Sequence, residues 1–115
     1  MKRICVCGGR NYQNKELVYE ILDKASKVFK FHLINGGARG ADSLSSLWAY
    51  ERACLLTEFP ANWNKFKNAA GPIRNQEMLN FGFDCLIAFP GGSGTKHMVS
   101  ITKKAGIPVL EVVDR

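Results

Sequence analysis

Three short segments of the sequence combine glycine with residue types that bind phosphate. They are "GGR" at residues 8–10, "GGARGAD" at 36–42 and "PGGSGT" at 90–95. Glycine lets a ligand approach the backbone closely, and consecutive amide groups can then point into one concavity. A helix is predicted directly after the third segment, and its unpaired amide groups and positive dipole end would favour an anion. The sequence therefore predicts a phosphate site, with the Ser93 and Thr95 hydroxyls as further donors.

The two longer segments do not match the common nucleotide-binding patterns. A P-loop requires G-x-x-x-x-G-K-[ST], and dinucleotide-binding proteins carry G-x-G-x-x-G, whereas "GGARGA" and "GGSGTK" fit neither pattern. ATP hydrolysis through a P-loop and dinucleotide redox chemistry are therefore poorly supported. A single glycine pair after a strand usually only turns the chain, so the prediction depends on the three segments lying together.

Charged side chains lie close to these segments. Arg10, Arg39 and Arg74 are half of the arginines in the chain, and a guanidinium can hold phosphate with two parallel hydrogen bonds. Asp42 and Glu77 are predicted in the first turns of two helices. Their carboxylates could accept hydrogen bonds from a ribose or a base, or they could only stabilise the helix dipole.

The longest connection supplies aromatic and amide side chains. Asn62, Trp63 and Phe66 could stack on a base or could pack under the loop. His32 alternates within an apolar strand and is interpreted as structural. His97, on the helix after the third glycine segment, is left open between an exposed and a functional role.

Alternating strand-like and helix-like segments must position these residues. Helices are predicted at 14–29, 41–53, 72–81 and 95–105, between strands at 3–7, 31–35, 55–59, 85–89 and 107–113. Strands that are apolar on both faces indicate a parallel sheet covered on both sides, with right-handed crossovers. The predicted fold is α/β: one Rossmann-like, three-layer domain over residues 1–115, with a five-stranded parallel sheet and about four helices. Ligands bind such a sheet at the carboxyl ends of its strands, where the strand order reverses, so the three glycine segments are expected to converge.

Composition sets further bounds. A chain of 115 residues with 46% hydrophobic residues suits one folded domain, and no segment has the length of a signal-peptide core or a membrane span. A cytoplasmic protein without membrane contact is expected. Cys5, Cys7, Cys54 and Cys85 lack zinc spacing, so we expect buried free thiols and no metal. The formal charge of +6 leaves nucleic-acid binding open, although six of the ten lysines fall on two predicted helix faces.

Four motifs in order carry a family resemblance. "GGR", "NGGARGAD", "PANW…AGPIRNQEML" and "AFPGGSGT" have the order and spacing found in the YspA-like, cpYpsA-related branch of the SLOG superfamily, which consists of Rossmann-like proteins of bacteria and phages. The resemblance implies a pocket for a nucleotide or nucleotide-derived molecule, and a homo-oligomer is expected because superfamily relatives commonly form dimers or higher oligomers. No cofactor is expected. More distant relatives are the DNA-binding mediator DprA and the Lonely Guy phosphoribohydrolases, which release a base from a nucleoside monophosphate.

The phosphoribohydrolase motif is P-G-G-x-G-T-x-x-E, and an arginine on a preceding helix works with its glutamate. Arg74 resembles that arginine, but Met98 occupies the glutamate position, and a thioether cannot accept a proton. Binding that senses or sequesters a nucleotide is therefore favoured. The alternatives are a nucleotide N-glycosidase using Arg74 and Glu77, with Asp42 as a second candidate carboxylate, and nucleic-acid binding. The residues predicted to contact the ligand are Gly8, Gly9, Arg10, Gly36, Gly37, Arg39, Asp42, Asn62, Trp63, Arg74, Asn75, Glu77, Pro90, Gly91, Gly92, Ser93, Gly94 and Thr95.

Overall fold

A computed structural model describes residues 1–114 and contains one five-stranded parallel sheet. The strands are β1 (Lys2–Cys7), β2 (Phe31–Asn35), β3 (Leu56–Glu58), β4 (Cys85–Ala88) and β5 (Val109–Glu111), and their order across the sheet is β3-β2-β1-β4-β5. The central strand β1 pairs with β2 on one side and with β4 on the other. The strand order therefore reverses between β1 and β4, which is where a ligand site is expected in such a sheet.

Helices cover both faces of the sheet and divide the core in two. The helices are α1 (Lys15–Val28), α2 (Ala41–Glu51), α3 (Trp63–Phe66), α4 (Ala70–Phe81) and α5 (Ser93–Lys104), and a 3-10 turn at Lys67–Ala69 joins α3 to α4. One core cluster packs Leu22 and Trp48 of α1 and α2 against one face of the sheet. The second packs Met78 and Met98 of α4 and α5 against the other face. The prediction of a three-layer α/β fold with a parallel five-stranded sheet is confirmed.

Several predicted boundaries are wrong. Helix α5 begins at Ser93 and α4 begins at Ala70, each two residues before the predicted start. Ser93, Gly94 and Thr95 therefore form the first turn of a helix and are not part of a loop. The short helix α3 and the 3-10 turn were not predicted, because four residues are too few to show a helical period.

Some predicted buried side chains are exposed. Val28 is 76% exposed and Leu47 is 42% exposed, although both follow the helical period of core residues. Val28 is the last residue of α1, and its side chain is largely uncovered. Cys5 and Cys7 are buried free thiols as predicted, whereas Cys54 and Cys85 are only partly buried.

None of the helices within residues 1–114 has both the length and the apolar composition needed to cross a membrane.

Candidate functional site

A cavity of about 660 Å³ lies at the carboxyl ends of the strands, beside the point where the strand order reverses. The loops after β1, β2 and β4 contribute to its wall, as do α3, α4 and the first turn of α5. Twelve of the residues predicted to contact a ligand line it: Gly8, Gly9, Arg10, Gly36, Asp42, Trp63, Arg74, Asn75, Gly92, Ser93, Gly94 and Thr95. The three glycine segments therefore lie together, as their places after the strands predict.

Some of these glycines are needed for packing between loops. The Gly9 amide donates to the Pro90 carbonyl at 2.9 Å, and the Gly9 carbonyl accepts from the Ala41 amide at 3.1 Å. A methyl group on Gly91 would lie 2.6 Å from the Gly9 nitrogen, and one on Gly40 would overlap the Gly9 carbonyl oxygen. These contacts hold the loop after β1 against the loop after β4 and against the start of α2. They thereby fix the position of Gly8 and Gly9 in the cavity wall.

Two other glycines leave the backbone open to a ligand. A methyl group on Gly92 or Gly94 would meet nothing within 4 Å. Gly92 caps the N-terminus of α5, and the Lys96 amide closes the first turn on its carbonyl at 3.0 Å. The amides of Ser93, Gly94 and Thr95 precede that hydrogen bond and have no carbonyl of an earlier turn to donate to. This first turn therefore presents open donors and a positive dipole end to the cavity.

Arg74 and Asp42 meet over Gly36. The Arg74 Nη1 donates to the Gly36 carbonyl at 2.6 Å, and its Nε donates to Asn75 Oδ1 at 3.0 Å. A methyl group on Gly36 would lie 2.7 Å from the Arg74 Cζ and 3.0 Å from Asp42 Oδ2. Gly36 is thus the position at which both charged side chains can approach the backbone. Burial lowers the pKa of the Arg74 guanidinium, and the nearby Asp42 carboxylate opposes that effect.

Asp42 is only 6% exposed. Burial raises its pKa from 3.8 to about 6, although hydrogen bonds from the Ala38 and Gly36 amides and the charge of Arg74 all act to lower it. The Ala38 amide donates to Oδ2 at 3.2 Å, whereas Oδ1 has no hydrogen-bond partner among residues 1–114. The wall of the cavity thus contains a carboxyl group with a raised pKa, and the Oδ1 atom of that group is closed off from the solvent.

Asn75 connects α4 to the first turn of α5. Its Nδ2 donates to the Gly94 carbonyl at 3.2 Å and lies 3.1 Å from Nδ1 of His97. Asn75 is 4% exposed, so these contacts hold α5 in position against α4. His97 lines the cavity beside Asn75. The imidazole whose role the sequence left open therefore lies at the candidate site.

Trp63 and Arg10 form the open side of the cavity. The Arg10 guanidinium lies over the Trp63 ring, with its Cζ 4.7 Å from the ring centroid. The ring is 43% exposed, and this geometry is a cation–π contact. A flat aromatic surface and an exposed positive charge therefore lie together in the cavity wall.

Six predicted ligand residues do not line this cavity. Gly37 and Arg39 lie in a neighbouring cavity of about 300 Å³, and Pro90 and Gly91 line a separate cavity of about 560 Å³ beside α5. Asn62 caps α3 by accepting a hydrogen bond from the Lys65 amide at 3.1 Å. Glu77 is exposed in the middle of α4, so its predicted place in a first turn is wrong.

Sequence reasoning missed other residues of the cavity wall. Cys7, Asn68 and Pro72 line it, but none belongs to a glycine segment or a charged pair. Burial raises the pKa of the Cys7 thiol well above its usual value, so that thiol is an apolar wall element. Asn35 does not line the cavity but organises it: its Nδ2 donates to the Asp42 carbonyl at 3.0 Å, and its Oδ1 accepts from the Gly37 amide at 2.9 Å. Its place at the end of an apolar strand, before two glycines, was the available signal.

Within residues 1–114, no group of three or more His, Cys, Asp or Glu side chains is arranged to hold a metal ion.

The parallel sheet, its strand order and the cavity at the reversal point define a Rossmann-like α/β domain. The chain belongs to the YspA, cpYpsA-related SLOG family, whose model matches residues 2–66. The resemblance inferred from the four motifs is therefore confirmed. Gene 61 protein of Mycobacterium phage D29 is 33% identical in an alignment over 124 residues, gaps included, and the alignment covers 100% of this chain and 99% of that protein.

Two solved structures share the fold at low identity. Acinetobacter baumannii MurG is 10% identical, with a TM-score of 0.55 over 95% of this chain. The match covers only 34% of the MurG chain, so this protein spans about a third of that structure. The C-terminal domain of a Pyrococcus furiosus hydrogenase is 17% identical, with a TM-score of 0.52 over 96% of this chain and 91% of that chain. These two likenesses concern the fold alone.

Proposed function

We propose that this protein binds a nucleotide or nucleotide-derived molecule in the 660 Å³ cavity, with a phosphate at the first turn of α5. The observation that carries the proposal is that the exposed first turn of α5 lines the cavity and that nothing crowds the backbone at Gly92 or Gly94. Membership of the SLOG family supports a nucleotide-related ligand. The cavity volume lies within the range typical of small-molecule sites, roughly 300–1,000 Å³.

The positive side chains of the cavity support an anionic ligand. Arg74 is held in place by the Gly36 carbonyl and by Asn75, so its guanidinium is already ordered before a ligand binds. Arg10 is exposed and rests on the Trp63 ring, from which it can move onto a phosphate. Together with the dipole of α5 they would balance the charge of a phosphate group.

Binding without hydrolysis is the reading that we favour. The phosphoribohydrolase motif requires a carboxylate at the position of Met98, and Met98 is fully buried in the core between α5 and the sheet. Glu77, the proposed substitute, is exposed and lines none of the three cavities described above. Neither residue can therefore deliver a proton to a ligand in the cavity.

The first test identifies the ligand. Purified protein is incubated with nucleoside monophosphates, ADP-ribose-type compounds and cyclic dinucleotides, and the filtrate and the heat-released bound fraction are analysed by liquid chromatography with mass detection. A nucleotide depleted from the filtrate and recovered intact supports the proposal. Free base in the filtrate would show a hydrolase, and recovery of every compound in the filtrate would contradict binding.

The second test locates the phosphate. Gly92→Asp adds a carboxylate in open space at the N-terminus of α5, and Gly92→Asn adds a side chain of the same size without the charge. We expect Gly92→Asp to weaken nucleotide binding by at least about tenfold relative to Gly92→Asn, because the added charge repels the phosphate. Equal affinities for the two variants would place the phosphate elsewhere.

A pair of arginine variants supplies an independent check. Arg74→Ala removes a guanidinium that lines the cavity, whereas Arg39→Ala removes an exposed one that does not. We expect only Arg74→Ala to lower nucleotide affinity. Nucleic-acid binding through the basic surface would instead give an affinity for DNA that falls steeply with salt and does not change with Arg74→Ala.

A further inference from the structure

The hydrogen bonds of Asn75 fix which end of its amide faces which neighbour. Arg74 Nε donates to Asn75 Oδ1 at 3.0 Å, and Asn75 Nδ2 donates to the Gly94 carbonyl at 3.2 Å. A guanidinium only donates and a carbonyl only accepts, so the oxygen and the nitrogen of this amide cannot be exchanged. Asn75 is 4% exposed, and one hydrogen of its NH2 group remains for a second partner.

That second partner is His97. Nδ1 of His97 lies 3.1 Å from Asn75 Nδ2. Because the NH2 group only donates, Nδ1 must accept, and a ring nitrogen that accepts carries no proton. The proton of the neutral imidazole is then on Nε2, which makes Nε2 a hydrogen-bond donor. The contacts of Asn75 therefore select one of the two neutral tautomers of His97.

The Nε2 atom of His97 is both unpaired and accessible. No hydrogen bond or ion pair joins it to another atom within residues 1–114. Among the buried side-chain nitrogen and oxygen atoms of those residues, only Asp42 Oδ1 lacks a partner. Since Nε2 also lacks a partner, it is not a buried atom. His97 lines the 660 Å³ cavity, so its donor is within reach of a ligand there.

The position of His97 on α5 directs its side chain towards the proposed phosphate. Ser93, Gly94 and His97 all line the cavity, and residues three or four apart lie on the same face of a helix. Helical side chains lean towards the N-terminus of their helix, so the imidazole extends from the second turn of α5 towards the first. The first turn is where the proposed function places the phosphate.

We propose that Asn75 holds His97 in the tautomer with its proton on Nε2, and that this N–H donates a hydrogen bond to the phosphate of the ligand. The second part rests on the proposed function, because it assumes that the phosphate lies at the first turn of α5. His97 is then a phosphate-binding residue, and Asn75 is a positioning residue that acts through it. The site takes a phosphorylated nucleoside in preference to the nucleoside alone.

The first experiment determines the tautomer without any ligand. Protein labelled with ¹⁵N in its histidine rings is studied at pH 8 by long-range proton–nitrogen correlation, which distinguishes protonated from unprotonated ring nitrogens. We expect His97 to have a protonated Nε2 and an unprotonated Nδ1. Asn75→Asp replaces the donor by a group that only accepts, so we expect a proton on Nδ1 of His97 in that variant. A proton on Nδ1 in wild type, or an unchanged tautomer in folded Asn75→Asp, would overturn the role of Asn75.

His32 provides a control within the same spectra. It lies in β2, and its Nε2 is 2.7 Å from Thr57 Oγ1, so the change at Asn75 should leave its signals unaltered. Circular dichroism checks that the variant is folded. If Asn75→Asp does not fold, the wild-type tautomer and the His97 variants decide the inference.

The second experiment measures the contact with the phosphate. The affinities of the common nucleoside 5′-monophosphates are measured at pH 8 for wild type, His97→Leu and His97→Gln. We expect His97→Leu to bind about tenfold more weakly, the effect of one lost hydrogen bond to a charged group. His97→Gln keeps an N–H close to the position of Nε2, and its affinity should stay within about threefold of wild type. His32→Leu removes the imidazole that lies outside the cavity and should keep the wild-type affinity.

The outcomes separate this inference from the proposed function. Wild-type affinity in His97→Leu overturns the contact between His97 and the phosphate, while phosphate binding at α5 still stands on the Gly92 variants. Equal losses in His97→Leu and His97→Gln overturn it as well, because the retained N–H would then contribute nothing. If no nucleotide binds wild type at all, the proposed function and the phosphate contact fail together, whereas the tautomer of the free protein still decides the role of Asn75.

Discussion

Replacing Asp42 by asparagine is expected to stabilise the fold at neutral pH, although it removes a side chain from the candidate site. Burial raises the pKa of Asp42 from 3.8 to about 6. At about 1.4 kcal/mol for each pKa unit, ionised Asp42 costs the folded chain about 3 kcal/mol relative to the unfolded chain. A neutral amide would accept a weaker hydrogen bond from Ala38, which offsets about 1 kcal/mol. The expected net gain for Asp42→Asn is therefore about 2 kcal/mol, or roughly 8 °C in melting temperature.

The sign of the pH dependence follows from the direction of the pKa change. Because the folded chain holds the Asp42 proton more tightly, it binds more protons than the unfolded chain between pH 3.8 and about 6. The stability from this group is fully present below pH 3.8, is lost as the pH rises through about 6, and stays lost above it. Wild type should therefore lose about 2 kcal/mol relative to Asp42→Asn between pH 4 and pH 8.

Urea unfolding followed by circular dichroism at pH 4, 6 and 8 measures this difference. Glu77→Gln serves as the control, since an exposed carboxylate should give a difference from wild type that hardly changes with pH. A stability difference between wild type and Asp42→Asn that is the same at pH 4 and pH 8 would refute the raised pKa. Lower stability of Asp42→Asn at pH 8 would show that the Asp42 charge is compensated in the folded chain.

Three further changes test how the site is built. Gly40→Ala should lower the free energy of unfolding in urea by at least about 2 kcal/mol, because φ at Gly40 is +74° and the methyl group would overlap the Gly9 carbonyl. Gly94→Ala, whose methyl group would meet open space, should change that free energy by less than about 1 kcal/mol. Asn35→Ala should lower the free energy of unfolding by about 3 kcal/mol, because it leaves the buried hydrogen-bond partners of Asn35 unpaired. A loss below about 1 kcal/mol in the same assay would show that Asn35 does not organise the loops around the cavity. Met98→Glu should lower the free energy of unfolding by at least about 3 kcal/mol at pH 8 and by less at pH 5, because it buries an unpaired carboxylate. Equal losses at the two pH values would contradict the position of Met98 in the core.

The sheet and its layers could be predicted from the sequence because the central strands β1, β2 and β4 are mostly apolar and buried, and because α1 and α5 repeat their apolar residues at helical spacing. The ends of the elements could not be predicted as well, since they depend on tertiary contacts. β3 has only three residues, from Leu56 to Glu58, although five were predicted, because pairing with β2 ends at Glu58. The start of α5 at Ser93 has no side-chain cap to mark it, and its N-cap is Gly92.

The residues of the site could be predicted as a set but not in their separate roles. All the glycines of the three segments look alike in the sequence, yet Gly40 and Gly91 allow loops to touch, whereas Gly92 and Gly94 leave amides open. The difference depends on which backbone lies opposite, and only the folded chain defines that. Glu77 shows the same limit: three residues after Arg74 it was expected beside the cavity, but the helix turns it to the surface.

A substitution at Asp42 can distinguish the hypothesis of binding from that of hydrolysis. Asp42 is the only carboxylate among the described residues that line the main cavity, because Met98 replaces the motif glutamate and Glu77 lies outside. If wild type releases free base from a nucleotide, Asp42 is therefore the carboxylate available for the proton transfer, and its pKa of about 6 suits a general acid or base. His97 is a second side chain in the cavity wall that could transfer a proton. Base release that stops in Asp42→Asn while nucleotide binding persists would establish that enzyme. Base release that continues unchanged in Asp42→Asn would show that Asp42 does not transfer the proton.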